Sequence, residues 1–449
     1  MTYPETIRYL ESFVNYEKIP VYPYKQSLKL ERVKDFLNVL DNPQGTLRCL
    51  HVAGTKGKGS TCAFVTYILR QAGYKVGLYT SPHLSDFRER IRILKPKLSG
   101  KRAHPGEDFE GMIARSELSG LTSRVKPYIE VYNKNSEYGP LSFFEVYTTL
   151  AFLYFKQKKV DFVVLETGLG GRLDATNTVN ALVCAITPIS YEHTQKLGNT
   201  LREIAGEKAG IIKKQRQPIV ISAPQEKEAA KVIRDKCRTV GAKLFEVGRD
   251  IKFRKKKDNF SLQGILKRYP DLKINLPGEH QLINASVAVG MIEALSFYGV
   301  SISKDSISKG LNNTVWPGRC EVISRNPLVV LDGAQNIASS KVLKKTIRES
   351  FRYKKLILVL GISKDKDIRG ICNQLRDLAS VVILTEANNP RAALACDLAR
   401  YFPSKTAYLT TGVAQAKKMA SRAAGKDDLI LVCGSLFVVG EYRNEKLRP

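Results

Sequence analysis

The stretch from Leu50 to Thr61, LHVAGTKGKGST, constrains this chain more than any other. It reads as a short apolar strand, a glycine-rich turn and a helix starting near Ser60. Glycines let backbone N–H groups converge on phosphate oxygens without interference from a Cβ. The helix N-terminus adds partial positive charge and Lys58 a full one, and the hydroxyls of Ser60 and Thr61 can face a phosphate or Mg2+. The match to the standard phosphate-loop pattern is imperfect, because Gly59 follows Gly57-Lys58 and the hydroxyl comes one residue late. The plainer alternative is a tight strand-to-helix turn with an exposed lysine.

Around this loop, four apolar runs have the length and β-branched character of buried strands: Thr46–Ala53, Val76–Thr80, Val160–Leu165 and Ala181–Thr187. Helical stretches at Thr61–Ala72 and Phe144–Lys158 alternate with them, so the expected fold is α/β with a mostly parallel sheet. Strands of such a sheet end on one edge, and ligands bind there. The residues after the second, third and fourth runs are therefore informative. They are Ser81-Pro82-His83, Glu166-Thr167-Gly168-Leu169-Gly170-Gly171-Arg172-Leu173-Asp174, and Pro188-Ile189-Ser190-Tyr191-Glu192-His193-Thr194.

Ser81, Glu166 and His193 should gather near the phosphate loop, where a hydroxyl, a carboxylate and an imidazole could complete an Mg2+ shell. Each has a plainer reading. Ser81 can cap a turn, Glu166 can pair with Arg172, and His193 can be an ordinary loop residue. Mg2+ prefers oxygen, so the imidazole is the least expected ligand of the three.

Further along, Thr200-Leu201-Arg202-Glu203 is a capping box that opens a helix containing Lys208. A lysine among small and apolar residues loses its proton readily. The spacing alone favours one that snorkels to the surface or pairs with Glu203 or Glu207. The strands Ile219–Ser222 and Lys243–Val247 follow, with a helix of Gln225–Val240 between them. Residues 250–276 are basic and hairpin-like. Asn284 sits on an apolar helix, either as a buried hydrogen-bond fixture or as a base reader.

Residues 1–300 are expected to form one domain and 301–325, with its Trp316-Pro317-Gly318-Arg319 break, a linker. Residues 326–449 form a second, Rossmann-like α/β domain with strands Leu328–Leu331, Lys355–Leu360, Val381–Leu384 and Leu429–Cys433. At 449 residues the chain is too long for a single core.

The net charge of +29 favours anionic partners. The cluster Lys252-Phe253-Arg254-Lys255-Lys256-Lys257 comes with no recognised nucleic-acid module and reads as a solvated hairpin, so no nucleic-acid partner is expected. The acidic N-terminus lacks a signal-type core and no run is long enough to span a bilayer, so a cytoplasmic protein with no membrane partner is expected. Eight scattered cysteines without a C-x-x-C pair look reduced.

These residues resemble the folylpolyglutamate synthase/dihydrofolate synthase branch of the Mur ligases. The resemblance is carried, in order along nearly the whole chain, by GTKGKGS (54–60), TSPHL (80–84), LSFFE (141–145), ETGLGGRLDATN (166–177), EHT (192–194), LGNTLREIAGEKAGIIK (197–213), GEHQLINA (278–285), WPGRCE (316–321), LDGAQN (331–336), GISKDKDI (361–368) and CGSLF (433–437).

The resemblance implies an ATP-dependent amide ligase. A pteroate or folate carboxylate takes the γ-phosphate, and L-glutamate then attacks the acyl phosphate. By the same resemblance, Gly57, Lys58, Gly59 and Ser60 hold phosphates and Asn284, Arg319 and Asp332 contact ATP. Ser81, Glu166 and His193 serve Mg2+, with two ions expected. Lys208 matches a carbamylated lysine, and Lys58, Lys208 and His193 make up the catalytic set. Ser142, Phe143, Phe144 and Glu145, with Leu173, Asp174 and Ala175, fall at the pterin-side pocket. A monomer that takes dihydropteroate or a reduced folate is implied.

Four positions depart from the family's usual residues: Lys29 for Gly, Lys56 for Asn, Gln335 for His and Ile337 for Pro. Gln335 carries no proton or positive charge, while Lys56 adds charge beside the phosphates. Three other readings remain open at this point. Lys29 and Gln335 motivate a related ligase with a different acid acceptor, a non-catalytic nucleotide- or folate-binding paralogue is a second, and a nucleic-acid-stimulated ATPase rests on charge alone.

Overall fold

The apolar runs become strands buried on both faces, as parallel strands covered by helices must be. In the computed structural model, which describes residues 1–19, 22–96, 109–214, 218–403 and 406–445, seven of them form one sheet. They are β1 (Cys49–Ala53), β2 (Val76–Tyr79), β3 (Ile91–Leu94), β4 (Phe162–Glu166), β5 (Val183–Ile186), β6 (Ile219–Ser222) and β7 (Lys243–Glu246). The order is β3-β2-β4-β1-β5-β6-β7, parallel throughout except where β3 runs antiparallel to β2. The strand that feeds the glycine loop, β1, thus lies centrally, between β4 and β5.

The basic segment forms a three-stranded antiparallel sheet of β8 (Lys252–Lys255), β9 (Phe260–Gln263) and β10 (Arg268–Leu272). Phe260, Leu262 and Tyr269 face inward, and Lys252, Arg254 and Arg268 are exposed.

Six strands form the sheet of the C-terminal region: β11 (Glu321–Arg325), β12 (Leu328–Leu331), β13 (Leu356–Leu360), β14 (Val381–Leu384), β15 (Thr406–Leu409) and β16 (Leu429–Cys433). Their order is β11-β12-β16-β13-β14-β15, with only β11 antiparallel to its neighbour.

The chain divides into two compact units. One comprises Met1–His83, Phe87–Asn275 and Leu282–Thr314, the other Leu84–Asp86, Leu276–Gln281 and Val315–Pro449. The expected linker at 301–325 is therefore corrected. Ser303 caps a helix, Lys304–Asn313, whose Ile307 and Leu311 are buried. A Cβ on Gly310 would lie 2.5 Å from the Cα of Ile68, so this helix packs directly on the one that follows the glycine loop. The rest of the segment enters β11. The Pro317-Gly318 break marks a turn within the second unit rather than a tether.

All eight cysteines are free; seven are buried and Cys396 is exposed. Among the described residues no helix is long and apolar enough to cross a membrane.

Candidate active site

The glycine loop leaves the C-terminal end of β1 and turns into the helix Lys58–Gln71, with Gly57 at the N-cap in the left-handed region (φ 87°). A side chain there is blocked twice over, since a Cβ would also stand 2.2 Å from Oδ1 of Asn284. Asn284, 3% exposed, thus backs the loop. Ser60 is nearly buried. Thr61 is wholly buried and its hydroxyl lacks a hydrogen-bond partner.

The neighbouring strand ends converge on this loop. Glu166, the last residue of β4, holds Oε1 3.9 Å from Nζ of Lys58, and its Oε2 accepts a hydrogen bond from the backbone N–H of Ser81 at 3.3 Å. Lys58, Glu166 and Ser81 are therefore brought together. Glu166 does not pair with Arg172, which binds Glu207 instead at 2.8 Å.

The loop after β5 is tied to the glycine loop along its backbone. Thr55 and Lys56 both donate to the carbonyl of Pro188, at 3.1 and 3.2 Å. Ser190 donates to Oγ1 of Thr55 at 3.1 Å. Lys56 and Glu192 form an ion pair at 2.5 Å. Burial draws the Glu192 carboxyl upward, but Lys56, followed by His193 and Lys58, holds its pKa down at about 2. His193 itself is exposed and takes left-handed backbone angles (φ 53°, ψ 37°) at the start of the short helix Thr194–Leu197.

Lys208 departs most from the spacing argument. The Thr200–Glu203 capping box forms, and the helix Leu201–Ala209 carries Lys208 inward rather than to the surface. It is 4% exposed, and its Nζ donates to the carbonyl oxygen of Gly54 at 2.8 Å. Glu203 is occupied by the capping box, and Glu207 by Arg172 and the hydroxyl of Tyr24. Burial, reinforced by the charge of Lys58, lowers the Lys208 pKa to about 7.

The residues expected at a pterin-side pocket behave differently from one another. Ser142 caps the helix Phe143–Gln157, and Glu145 closes the capping box. Glu145 is also bound by Arg32, whose Nη2 lies 2.7 Å from Oε1; both side chains are nearly buried. Phe143 is fully buried. Of these four, Phe144 alone keeps partial exposure, its ring lying where a Cβ on Gly168 would fall, 2.7 Å from Cζ.

Leu173 is half-buried and Ala175 buried. Asp174 is buried and accepts from the backbone N–H groups of Gly168 and Leu169 at 2.9 Å each, and from Thr176. The polar atoms of Ser142, Glu145 and Asp174 are therefore committed to capping, pairing and loop closure, and Phe143 is committed to the core.

A buried chain that the sequence reading missed continues from Asp174. Thr176 gives its hydroxyl proton to Asp174 at 2.5 Å, so Nε2 of His51, 2.8 Å from that oxygen, must be the donor. Burial lowers the His51 pKa to about 3, and the ring is neutral. The signal available in the sequence was a histidine inside the apolar run before the glycine loop. Glu192, also missed as a site residue, announced itself only as the acid preceding His193.

In the second unit, Asp332 at the end of β12 accepts from the N–H of Cys320 at 2.9 Å and of Ala334 at 2.8 Å. Nη1 of Arg319 donates to the carbonyl of Gly318 at 3.0 Å and lies 2.5 Å from where a Cβ of Gly333 would be. Arg319 and Asp332 thus flank one turn. Gln335 is half-buried, its N–H donating to Oγ of Ser339 at 3.1 Å.

A central phosphate-type loop in one unit, followed by a second parallel α/β unit, is the arrangement of a Mur ligase. Residues 120–292 match the Mur ligase middle domain, and residues 318–436 the Mur ligase glutamate ligase domain. A Bacillus subtilis dihydrofolate synthase/folylpolyglutamate synthase is 35% identical over 430 residues, covering 92% of this chain and 94% of that one. A Mycobacterium tuberculosis folylpolyglutamate synthase, solved in complex with ADP and AMPPCP, superposes with a TM-score of 0.82 at 29% identity and covers 94% and 96% of the two chains. Escherichia coli FolC, solved with DHPP and ADP, gives a TM-score of 0.83 at 29% identity over 98% and 96%. The chain belongs to the folylpolyglutamate synthase/dihydrofolate synthase family and is a ligase.

Proposed function

We propose that the protein uses ATP to join L-glutamate to the carboxylate of a pteroate or folate through an acyl phosphate. The observation that carries this is the meeting of Lys58, Glu166 and Ser81 at the mouth of a glycine loop backed by Asn284. Transfer of a phosphoryl group to a carboxylate requires charge neutralisation and alignment more than a covalent nucleophile. Lys58 and the N–H groups from Gly57 to Ser60 hold the phosphates; for Arg319 and Asp332 a role toward ATP rests on the family resemblance alone.

The Glu166 carboxylate and Ser81 hydroxyl are hard oxygen donors that fit Mg2+, with His193 as a third ligand. Among the described residues no three His, Cys, Asp or Glu side chains gather as a metal cluster. Bound Mg2+ supplies neutralisation of the transferring phosphoryl charge. Lys208, neutral in a large fraction near pH 7, is suited to carbamylation. Phe144 and Leu173 face the acceptor acid.

The test is ADP release with ATP, Mg2+ and L-glutamate, offering dihydropteroate and tetrahydrofolate in separate reactions. Release that depends on glutamate with either acceptor is expected and sorts the two activities. Silence with both, in protein that binds ATP, overturns the assignment. It would favour another acid acceptor or a binding-only protein, with Lys29 and Gln335 as the first positions to examine.

A further inference from the structure

Lys56 stands beside the phosphate loop, where an added cation invites assignment to phosphate. The geometry gives it another task. Its Nζ lies 2.5 Å from Oε1 of Glu192, and the two side chains are only 34% and 22% exposed. The pair closes a seam already laid down by the backbone, in which Thr55 and Lys56 donate to Pro188 and Thr55 exchanges hydrogen bonds with Ser190. Immediately beyond Glu192 is His193, a residue with a Cβ held in left-handed backbone. Such a conformation persists only where its surroundings over-determine it. Charge pairing one residue away is that kind of restraint.

We propose that Lys56 is a positioning residue for Glu192: the pair clamps the His193 loop onto the phosphate loop, and so sets the site's affinity for a divalent cation rather than for phosphate. This rests on the functional reading above, in which His193 serves the metal.

The experiment measures two affinities separately. Mn2+ binding to the ADP complex is followed by electron paramagnetic resonance, and ADP binding in EDTA by calorimetry. The proteins are wild type, Lys56→Gln, Glu192→Gln, the double variant, and Lys56→Arg. Both side chains are partly exposed, so the variants should fold; thermal unfolding checks this. The single variants and the double should each weaken Mn2+ by a similar factor, on the order of tenfold as for other supporting residues around metal sites. Lys56→Arg should retain most of the affinity, and metal-free ADP binding should stay within about twofold throughout.

Loss of metal-free ADP binding in Lys56→Gln but not in Glu192→Gln would overturn the proposal, because Lys56 would then serve phosphate. Unchanged Mn2+ affinity in both single variants would overturn it too. The phosphate-loop reading is checked independently by Lys58→Ala, where undiminished metal-free ADP binding would refute that reading whatever the Lys56 variants do.

Discussion

Nζ of Lys208 donates a hydrogen bond to the carbonyl oxygen of Gly54 at 2.8 Å, joining a helix after β5 to the first residue of the glycine loop. The contact puts a titratable amine against the glycine loop, with Lys58 among its charged neighbours. Its proton is therefore easier to remove there than in an unfolded chain.

That difference makes stability depend on pH in a known direction. Lysine ordinarily titrates at 10.5, but the folded Lys208 releases its proton at about 7. Between these values the unfolded chain binds more protons, so stability rises with pH, by at most about 1.4 kcal/mol per unit for one group. The unfavourable contribution is present in full below pH 7 and is relieved above it. Lys208→Met should flatten the rise between pH 7 and 9. Lys213, lowered to about 8 by burial, remains as a background slope in both proteins. Urea unfolding in CO2-free buffer at several pH values reads the effect, and identical slopes would contradict it.

Lys58→Ala should lower turnover by roughly 100-fold or more, the loss seen when a charge or donor at a developing anion is removed. Steady-state ADP release measures it, and near-normal activity would refute the placement of phosphate at this loop.

Gly57→Ala should fail for a steric reason distinct from charge. The backbone φ of 87° disfavours a side chain, and the new methyl would meet Asn284 Oδ1 at 2.2 Å. We expect a loss of about 1–3 kcal/mol in stability together with nucleotide affinity. Thermal unfolding with and without ADP tests both parts; a fully stable variant would mean that Asn284 yields easily.

Glu145→Gln should act on folding more than on substrate affinity. The nearly buried Arg32 loses its charged partner, and breaking such a pair costs about 3–5 kcal/mol. The expected result is a lower urea midpoint with little change in the KM for the acceptor. The opposite pattern would return Glu145 to the substrate.

Gln335→His restores the residue usual in the family at a half-buried position whose main-chain N–H is already bonded to Ser339. Activity should hold or rise. A loss beyond about tenfold, roughly 1.4 kcal/mol, would show a site adapted to glutamine.

The central strands were legible because burial on both faces demands continuous apolar runs, and β1, β2, β4, β5 and β6 supply them. Three strands at or near sheet edges were not. In β3, the arginine of Ile91-Arg92-Ile93-Leu94 disguises a wholly buried strand; its Nε donates to the carbonyl of Glu110. In β15, Thr406-Ala407-Tyr408-Leu409 is too short and too exposed to read as a buried apolar run, and β11 lay inside a segment that its Pro-Gly turn made look like a tether.

The sequence by itself determined the central strands with the helices between them, the glycine loop and the family, because these depend on local conformation and on motifs written in consecutive residues. The tertiary structure decided which polar groups are engaged. It turned Lys208 inward, matched Lys56 to Glu192 across 136 positions, and committed Glu145 to Arg32 across 113. Burial and charge pairing are set by neighbours distant in the chain. No local spacing could tell an exposed lysine from one lodged against the carbonyl of Gly54.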